Sequence, residues 1–162
     1  MRKIGLLSDT HAYWDDKFAQ YFSECDEIWH AGDIGSEAVL HQLEAIKPVR
    51  AVYGNIDSHL LRAICPQTLR FEVEQVEVLL THIGGYPGKY APEIRQEIYA
   101  NPPKLFVCGH SHILKVQYDK HLQMLCVNPG AAGKYGFHQV RTIVRFTIDG
   151  KDMKDMEVIE LV

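Results

Sequence analysis

The sequence lacks the features that mark secreted and membrane-spanning proteins. It has only four cysteines, Cys25, Cys65, Cys108 and Cys126, and none belongs to a C-x-x-C pair. Isolated cysteines in apolar surroundings predict buried, reduced thiols and no disulfide framework. The apolar run near the N-terminus is too short for a signal peptide core or a membrane span. We therefore expect a cytoplasmic protein that does not contact a membrane.

A basic surplus is missing as well. The chain has 17 Lys and Arg against 21 Asp and Glu, a formal net charge of −4. A protein that holds nucleic acid electrostatically needs a basic face, so we expect no nucleic-acid partner. This charge does not exclude a small anionic substrate held by a metal. Repeats, linkers and low-complexity segments are also missing, which predicts a single domain over residues 1–162.

The first half of the chain alternates short apolar strands with amphipathic helices. Strands are expected at residues 3–7, 27–31 and 49–53, with helices at 15–25 and 37–46. This β-α-β-α-β order predicts parallel strands joined by crossover helices. In such sheets, ligands bind at the carboxyl ends of the strands.

The second half is richer in strands. Residues 68–74 and 75–81 form a predicted hairpin around Glu74 and Gln75, and Tyr86-Pro87-Gly88 is expected to be a loop. The whole pattern predicts an α/β fold of two packed sheets, a β-sandwich flanked by helices. The remaining elements are expected as a helix at 92–99, a buried strand at 105–108, and antiparallel strands at 113–118, 123–127, 142–148 and 156–161.

Side chains with metal-ligand chemistry recur where these strands end. Successive motifs are 22 to 28 residues apart, about the length of a strand–helix–strand unit, so they return to the same edge of a sheet. Seven candidates exceed what one catalytic ion takes from protein while keeping an open position. Mixed carboxylate, amide and imidazole ligands suit two ions that share a carboxylate, as in phosphoryl displacement. The candidates are Asp9, His11, Asp33, Asn55, His82, His110 and His112.

Each motif alone has an ordinary structural interpretation, such as a turn pair at Gly54-Asn55 or a structural histidine at His82. The order and spacing of all of them together are specific. The chain resembles the calcineurin-like metallophosphoesterase superfamily and, within it, the small YfcE-type phosphodiesterases. The motifs that carry this resemblance are Asp9-Thr10-His11, Gly32-Asp33, Gly54-Asn55-Ile56-Asp57, Thr81-His82 and Gly109-His110-Ser111-His112.

The resemblance implies a metal-dependent phosphodiesterase that hydrolyses a small phosphodiester through a dinuclear centre and a metal-activated water. Manganese is the favoured metal because the donors are nitrogen and oxygen without thiolate, and iron, zinc or nickel would also suit them. The ligand assignment that the resemblance implies is Asp9, His11 and His112 on the first ion, Asn55, His82 and His110 on the second, and Asp33 bridging both.

The sequence departs from the superfamily at Ile56. Larger members have a histidine there that is thought to assist the leaving group, whereas isoleucine cannot donate a proton; YfcE-type proteins lack this histidine too. We therefore expect a preference for weakly basic leaving groups, as in aryl phosphodiesters. His59 and His138 are candidates for a substitute acid, although we favour exposed-loop histidines for both. Ile83, where many relatives have glycine, affects only the expected loop geometry.

Two other functions compete with this one. The first is a non-catalytic metal-binding scaffold or interaction module on the same fold, as in the retromer subunit that resembles these enzymes. The second is a nuclease, which the short acidic chain disfavours. Competent side chains at all seven positions favour the enzyme. The sequence leaves open the physiological substrate and whether the chain forms a homo-oligomer.

Overall fold

Two five-stranded sheets stack face to face in the computed structural model, which describes residues 1–162. Four helices lie on the outer faces of the sheets. These helices are α1 (Asp16–Phe22), α2 (Glu37–Glu44), α3 (His59–Ile64) and α4 (Pro92–Ala100). The strands are β1 (Arg2–Leu7), β2 (Glu27–His30), β3 (Val49–Ala51), β4 (Thr68–Val73), β5 (Val76–Thr81), β6 (Gly85–Tyr86), β7 (Lys89–Tyr90), β8 (Leu105–Val107), β9 (Leu114–Asp119), β10 (Met124–Pro129), β11 (Arg141–Asp149) and β12 (Asp152–Leu161).

The first sheet contains the parallel strands that the sequence predicts. Its order is β12-β11-β1-β2-β3, in which β1, β2 and β3 are parallel and β11 is antiparallel to β1. The crossover helices begin at capping side chains, which satisfy amide groups that the first turn leaves free. Asp15 accepts from the backbone N–H of Lys17 (2.9 Å), and Ser36 accepts from that of Val39 (3.4 Å).

The second sheet has the order β4-β5-β8-β10-β9. Strands β4 and β5 form the predicted hairpin, and β5, β8 and β10 run parallel to one another. Strand β9 is antiparallel to β10 and forms one edge of this sheet. The carboxyl ends of three strands of each sheet lie at the same end of the sandwich. These strands are β1, β2 and β3 in the first sheet and β5, β8 and β10 in the second.

The main core lies between the two sheets. Trp29 is fully buried there, with edge contacts to Phe71 (5.1 Å between ring centroids) and Phe146 (5.6 Å). Two further apolar clusters fill the spaces under the helices, one beneath α1 and α2 and one beneath α4. Burying this apolar surface at ~25 cal/mol per Å² holds the layers together, so the loops at the sheet ends are free to carry polar groups.

The fold class is confirmed, and several element predictions need correction. Helix α3 was not predicted; it has only six residues and buries only Leu61, while Leu60 and Ile64 are exposed. Tyr86-Pro87-Gly88 is not a plain loop but includes the turn of the ribbon β6–β7. Helix α1 ends at Phe22 rather than at Cys25. None of the four helices has the length and apolar character needed to cross a membrane.

The last four strands also differ from the expectation of one antiparallel group. Strands β9 and β10 belong to the second sheet, where β10 is parallel to β8, whereas β11 and β12 extend the first sheet. Periodicity within a strand does not specify which neighbour the strand pairs with, so this partition was not available from the pattern.

Candidate metal centre

All seven predicted side chains come together at one end of the sandwich. They were expected at the edge of one sheet, but both sheets contribute. Loops after β1, β2 and β3 carry four of them, and loops after β5 and β8 carry the other three. Potential ligand atoms lie within 4.8 Å of one another in two groups. The first group is Asp9, His11 and His112, and the second is Asp33, His82 and His110.

Asn55 adjoins the second group. Its Oδ1 atom lies 3.1 Å from Nδ1 of His110, and both side chains are exposed. The centre is therefore deeply buried at the two aspartates and opens to solvent at Asn55 and His110.

Each aspartate has one oxygen bound by the protein and one directed at the histidines. In Asp33, Oδ1 accepts from the backbone N–H of Ile56 (3.1 Å). Its other oxygen, Oδ2, lies 3.2 Å from Nε2 of His82 and 3.5 Å from Nε2 of His11. Asp33 thus contacts one imidazole of each group. A carboxylate in this position has the lone pairs to serve two cations.

Asp9 follows the same pattern. Its Oδ2 accepts from Ser8 Oγ (2.6 Å) and from the backbone N–H of His110 (3.0 Å). Its Oδ1 lies 3.1 Å from Nε2 of His112 and 3.6 Å from Nε2 of His11. The backbone contact with His110 ties the loop after β8 to the loop after β1.

The histidine nitrogens fit a metal. Nδ1 of His82 lies 2.7 Å from the carbonyl oxygen of Ala31. Because a carbonyl only accepts, Nδ1 carries the proton and Nε2 of the neutral ring has a lone pair. Nε2 of His82 and Nε2 of His11 are both buried and make no hydrogen bond. A buried polar atom without a partner costs about 1–3 kcal/mol, which a bound cation would offset.

The ionisation states of the buried side chains also suit a bound cation. Burial would raise the pKa of Asp9, but the neighbouring His11, hydrogen bonds from His112 and Ser8, and the charge of His82 hold its pKa well below the ordinary value. Burial likewise opposes a lowered pKa at Asp33, where contact with His82 prevails. For His82, burial lowers the pKa, but Asp33 and Asp9 raise it by more than burial lowers it, so the pKa lies above its ordinary value. The centre therefore offers two ionised carboxylates, and a cation competes with the His82 proton.

The backbone at the site is strained. Five of the seven residues have a positive φ, a conformation that few residues other than glycine adopt and that is enriched at Asn, Asp and His. Strain of this kind persists where the surrounding structure enforces it, typically at functional sites. The five values are 55° at Asp9, 45° at His11, 55° at Asp33, 71° at His110 and 63° at His112.

Two glycines in the motifs allow close approach between loops. A Cβ atom on Gly54 would lie 2.1 Å from Oδ1 of Asp33. One on Gly109 would lie 2.1 Å from Oγ of Ser8. Any larger residue at either position would displace an aspartate or the side chain that orients it.

Some supporting residues were not identified as such from the sequence. Asp57 is buried and accepts from the backbone N–H groups of Ile34 (3.2 Å), Gly35 (2.9 Å) and Gly54 (2.8 Å). It therefore ties the loop after β2 to the loop after β3. Its place in the Gly54-Asn55-Ile56-Asp57 motif is the signal that could have revealed it.

Asn128 supports the loop after β8. Its Nδ2 donates to the carbonyl oxygen of Gly109 (3.0 Å) and to Oγ of Ser111 (3.1 Å). Its Oδ1 accepts from the backbone N–H of Gly130 (3.0 Å). Sequence reasoning identified only a turn at Asn128-Pro129-Gly130.

The two histidines considered as substitute acids differ in position. His59 is exposed at the start of α3 and makes no hydrogen bond or ring contact with the seven residues. His138 is half-buried, so the expectation of an exposed-loop histidine is wrong for it. Its ring lies 5.1 Å from that of His112, and its Nε2 donates to the carbonyl oxygen of Gly133 (2.7 Å).

Tyr135 is a neighbour that the sequence did not indicate. Its ring stacks on His11 at 4.9 Å between centroids, with 28° between the planes. The residue lies in the loop between β10 and β11, and nothing in the sequence around it predicts a contact with the loop after β1.

Comparison with known proteins gives the family. The model of the calcineurin-like phosphoesterase superfamily domain matches residues 2–151. A probable metallophosphoesterase of Methanothermobacter thermautotrophicus is 31% identical over 136 residues, which cover 79% of this chain and 76% of the relative. The chain belongs to the calcineurin-like phosphoesterase superfamily.

Solved structures share the fold. An archaeal protein described as a novel phosphodiesterase superposes with a TM-score of 0.75 at 22% identity, covering 98% of this chain and 99% of the other. Vps29 of Chaetomium thermophilum superposes with a TM-score of 0.78 at 14% identity, covering 99% and 97%. At these sequence identities, the similarity establishes the shared fold and nothing about activity.

Proposed function

We propose that this protein is a metal-dependent phosphodiesterase that hydrolyses a small phosphodiester with two divalent ions. The observation that carries the proposal is the position of Asp33 Oδ2, 3.5 Å from Nε2 of His11 and 3.2 Å from Nε2 of His82. Membership of a phosphoesterase superfamily and the likeness to an archaeal phosphodiesterase support it.

The proposed ligand set follows from the two groups. Manganese is the proposed metal, since no thiol belongs to either group. The set assigns Asp9, His11 and His112 to one ion, Asn55, His82 and His110 to the other, and Asp33 to both. Bound there, the two cations would lower the pKa of a water and offset charge on the phosphoryl oxygens.

The protein's own residues have three tasks in this proposal. The buried aspartates provide fixed negative charge, and their hydrogen bonds to Ser8 and Ile56 hold them in place. The exposed Asn55 and His110 leave the site open on the substrate side. Ile56, also exposed, offers no proton there, so the departing oxygen must be a weak base.

The proposed substrate is a small molecule rather than a nucleic acid. A net charge of −4 gives no excess of cations to neutralise several consecutive phosphates. We also propose one catalytic domain in a cytoplasmic protein. All four cysteines are free and buried, which suits a reducing compartment.

An assay on bis(4-nitrophenyl) phosphate tests the proposal. The protein is stripped of metal with a chelator, dialysed and titrated with manganese, and elemental analysis counts the bound ions. We expect turnover that appears only with manganese and saturates near two ions per chain. Retention of metal without turnover on any phosphodiester would instead favour the metal-binding scaffold. If the protein binds no metal and shows no turnover, the enzyme proposal is refuted.

A further inference from the structure

A cleft of about 260 Å³ opens directly beside His110. Its walls come from the segment after β5, the ribbon β6–β7, the loop after β8 and the start of β9. Ile83, Tyr86 and Ile113 give it apolar surface, and Tyr86 and Ile113 are 43% and 62% exposed. Exposed apolar side chains grouped beside a reactive centre mark a ligand surface.

The cleft has few free polar groups. Asn128 is part of its lining, but its amide already bonds Gly109, Ser111 and Gly130. Lys115 is the cleft's only lysine or arginine, and its Nζ lies 4.4 Å from the centroid of the Tyr86 ring. A ligand in the cleft therefore meets aromatic and aliphatic surface together with one ammonium group.

A second cleft beside the centre is different. A cleft of about 230 Å³ beside Asn55 and His82 is lined by polar side chains, including Arg62, Gln67 and Glu93. The candidate metal centre therefore adjoins both a polar cleft and an apolar one, and Ile83 lines both. Such an asymmetry suits a diester whose two arms differ in polarity.

We propose that the apolar cleft binds an aromatic arm of the substrate, a single aryl or heteroaryl ring bearing an acceptor or anionic group that pairs with Lys115. The proposal rests on the proposed phosphodiesterase function and names its substrate class. A flat ring suits the partly exposed ring of Tyr86 and the side chain of Ile113, because aromatic pairs gain affinity beyond that of burial alone. Ile56 independently favours an aryl ester, because aryloxides leave without an acid.

Binding of three phosphate monoesters to the manganese-loaded protein tests this assignment without requiring turnover. Calorimetry compares methyl phosphate, phenyl phosphate and 4-carboxyphenyl phosphate. We expect phenyl phosphate to bind roughly tenfold more tightly than methyl phosphate, from burial of one ring face. We expect 4-carboxyphenyl phosphate to bind about threefold more tightly than phenyl phosphate, a gain typical of a partly exposed ion pair with Lys115.

Matched variants assign these gains to residues. Tyr86→Ala should remove most of the phenyl-over-methyl gain, while Tyr99→Ala, at a similarly exposed tyrosine on α4, should preserve it. Lys115→Met should remove only the carboxylate gain, while Lys151→Met, in the exposed turn between β11 and β12, should not. Metal content is measured for every variant, because the proposal requires it to stay unchanged.

Failure of the aromatic subsite and failure of the phosphodiesterase proposal give different results. Equal affinity for methyl and phenyl phosphate, or a phenyl gain that survives Tyr86→Ala, would overturn the aromatic subsite even if the enzyme hydrolyses diesters. A carboxylate gain unaffected by Lys115→Met would overturn the role of the lysine. If the ring preference holds and no diester is turned over, the phosphodiesterase proposal fails and the binding site stands.

Discussion

Asp33 and His82 are joined across the two sheets of the sandwich, with Oδ2 of the aspartate 3.2 Å from Nε2 of the histidine. Asp33 follows a strand of the first sheet, and His82 follows a strand of the second. The second oxygen of Asp33 is held by the backbone of Ile56, so the carboxylate cannot turn away from the histidine without losing that bond. Metal binding at this pair would therefore also connect the sheets.

Replacement of Asp33 tests the bridge. We expect Asp33→Asn to lose both metal retention and manganese-dependent turnover, because an amide has one acceptor oxygen and no charge. Mutating a residue that only supports a metal ligand lowers metal affinity or activity about 10–100-fold. Losing the bridging ligand itself should therefore lower both on the order of 100-fold or more. Asp155→Asn is the matched control, since both aspartates have a φ of 55° and Asp155 is exposed on β12. Normal metal content in Asp33→Asn would contradict the bridging role.

His110 and His112 are expected to serve different ions. Both have a positive φ, 71° and 63°, and asparagine tolerates this conformation, so His110→Asn and His112→Asn form a backbone-matched pair. Each variant should keep one tight manganese ion and bind the other on the order of 100-fold more weakly or worse, since losing a ligand costs more than losing a residue that supports one. Calorimetric titration counts the ions, and electron paramagnetic resonance reports the coupling between them. Loss of both ions in both variants would indicate a single shared site.

Much of the site was accessible from sequence because ligand chemistry coincided with strand ends. Asp9 and Asp33 follow short apolar runs, and the interval between motifs matches a strand–helix–strand unit. Such a pattern predicts proximity without a structure. The ligand roles of the seven residues stay a prediction until metal is measured.

Other features depend on long-range packing that no local pattern encodes. The strand before His82 belongs to a different sheet from the strand before Asp33, although the hydrophobic runs look alike. The contact of Tyr135 with His11 arises between loops 124 residues apart in sequence. The positive φ values at five of the site residues were likewise not predicted from the sequence.

The absence of an acid at Ile56 has a kinetic consequence. Rates with a series of aryl phosphodiesters should rise steeply as the leaving phenol becomes more acidic, because the departing oxygen carries its charge without a proton. Ile56→His should flatten this dependence by providing a donor. The wild-type and variant slopes are compared under conditions where chemistry limits the rate. A flat wild-type slope there would point to another donor, and His138→Ala would then be expected to steepen it, whereas His59→Ala would not.

Glu27 provides a test of stability that is independent of the metal centre. Its buried carboxylate accepts from Arg2 (2.7 Å), Trp29 (2.7 Å) and Arg50 (3.0 Å). Burial would raise the pKa of Glu27, but these donors outweigh it and hold the pKa below the ordinary 4.5. Because the folded-state pKa is the lower one, this contribution is complete above about pH 4.5 and is lost as pH falls through the folded-state value.

Denaturant titrations of Glu27→Gln and wild type at several pH values check this sign. Near pH 7 the variant should be less stable by about 1–3 kcal/mol, since charge-assisted hydrogen bonds in a buried site are lost. The difference should shrink below about pH 4.5, as the wild-type carboxyl takes up its proton and loses the same interactions. Glu160→Gln, at an exposed position on β12, should show no such trend. A gap between Glu27→Gln and wild type that stays constant down to about pH 3 would mean that packing, rather than charge, sets the contribution of Glu27.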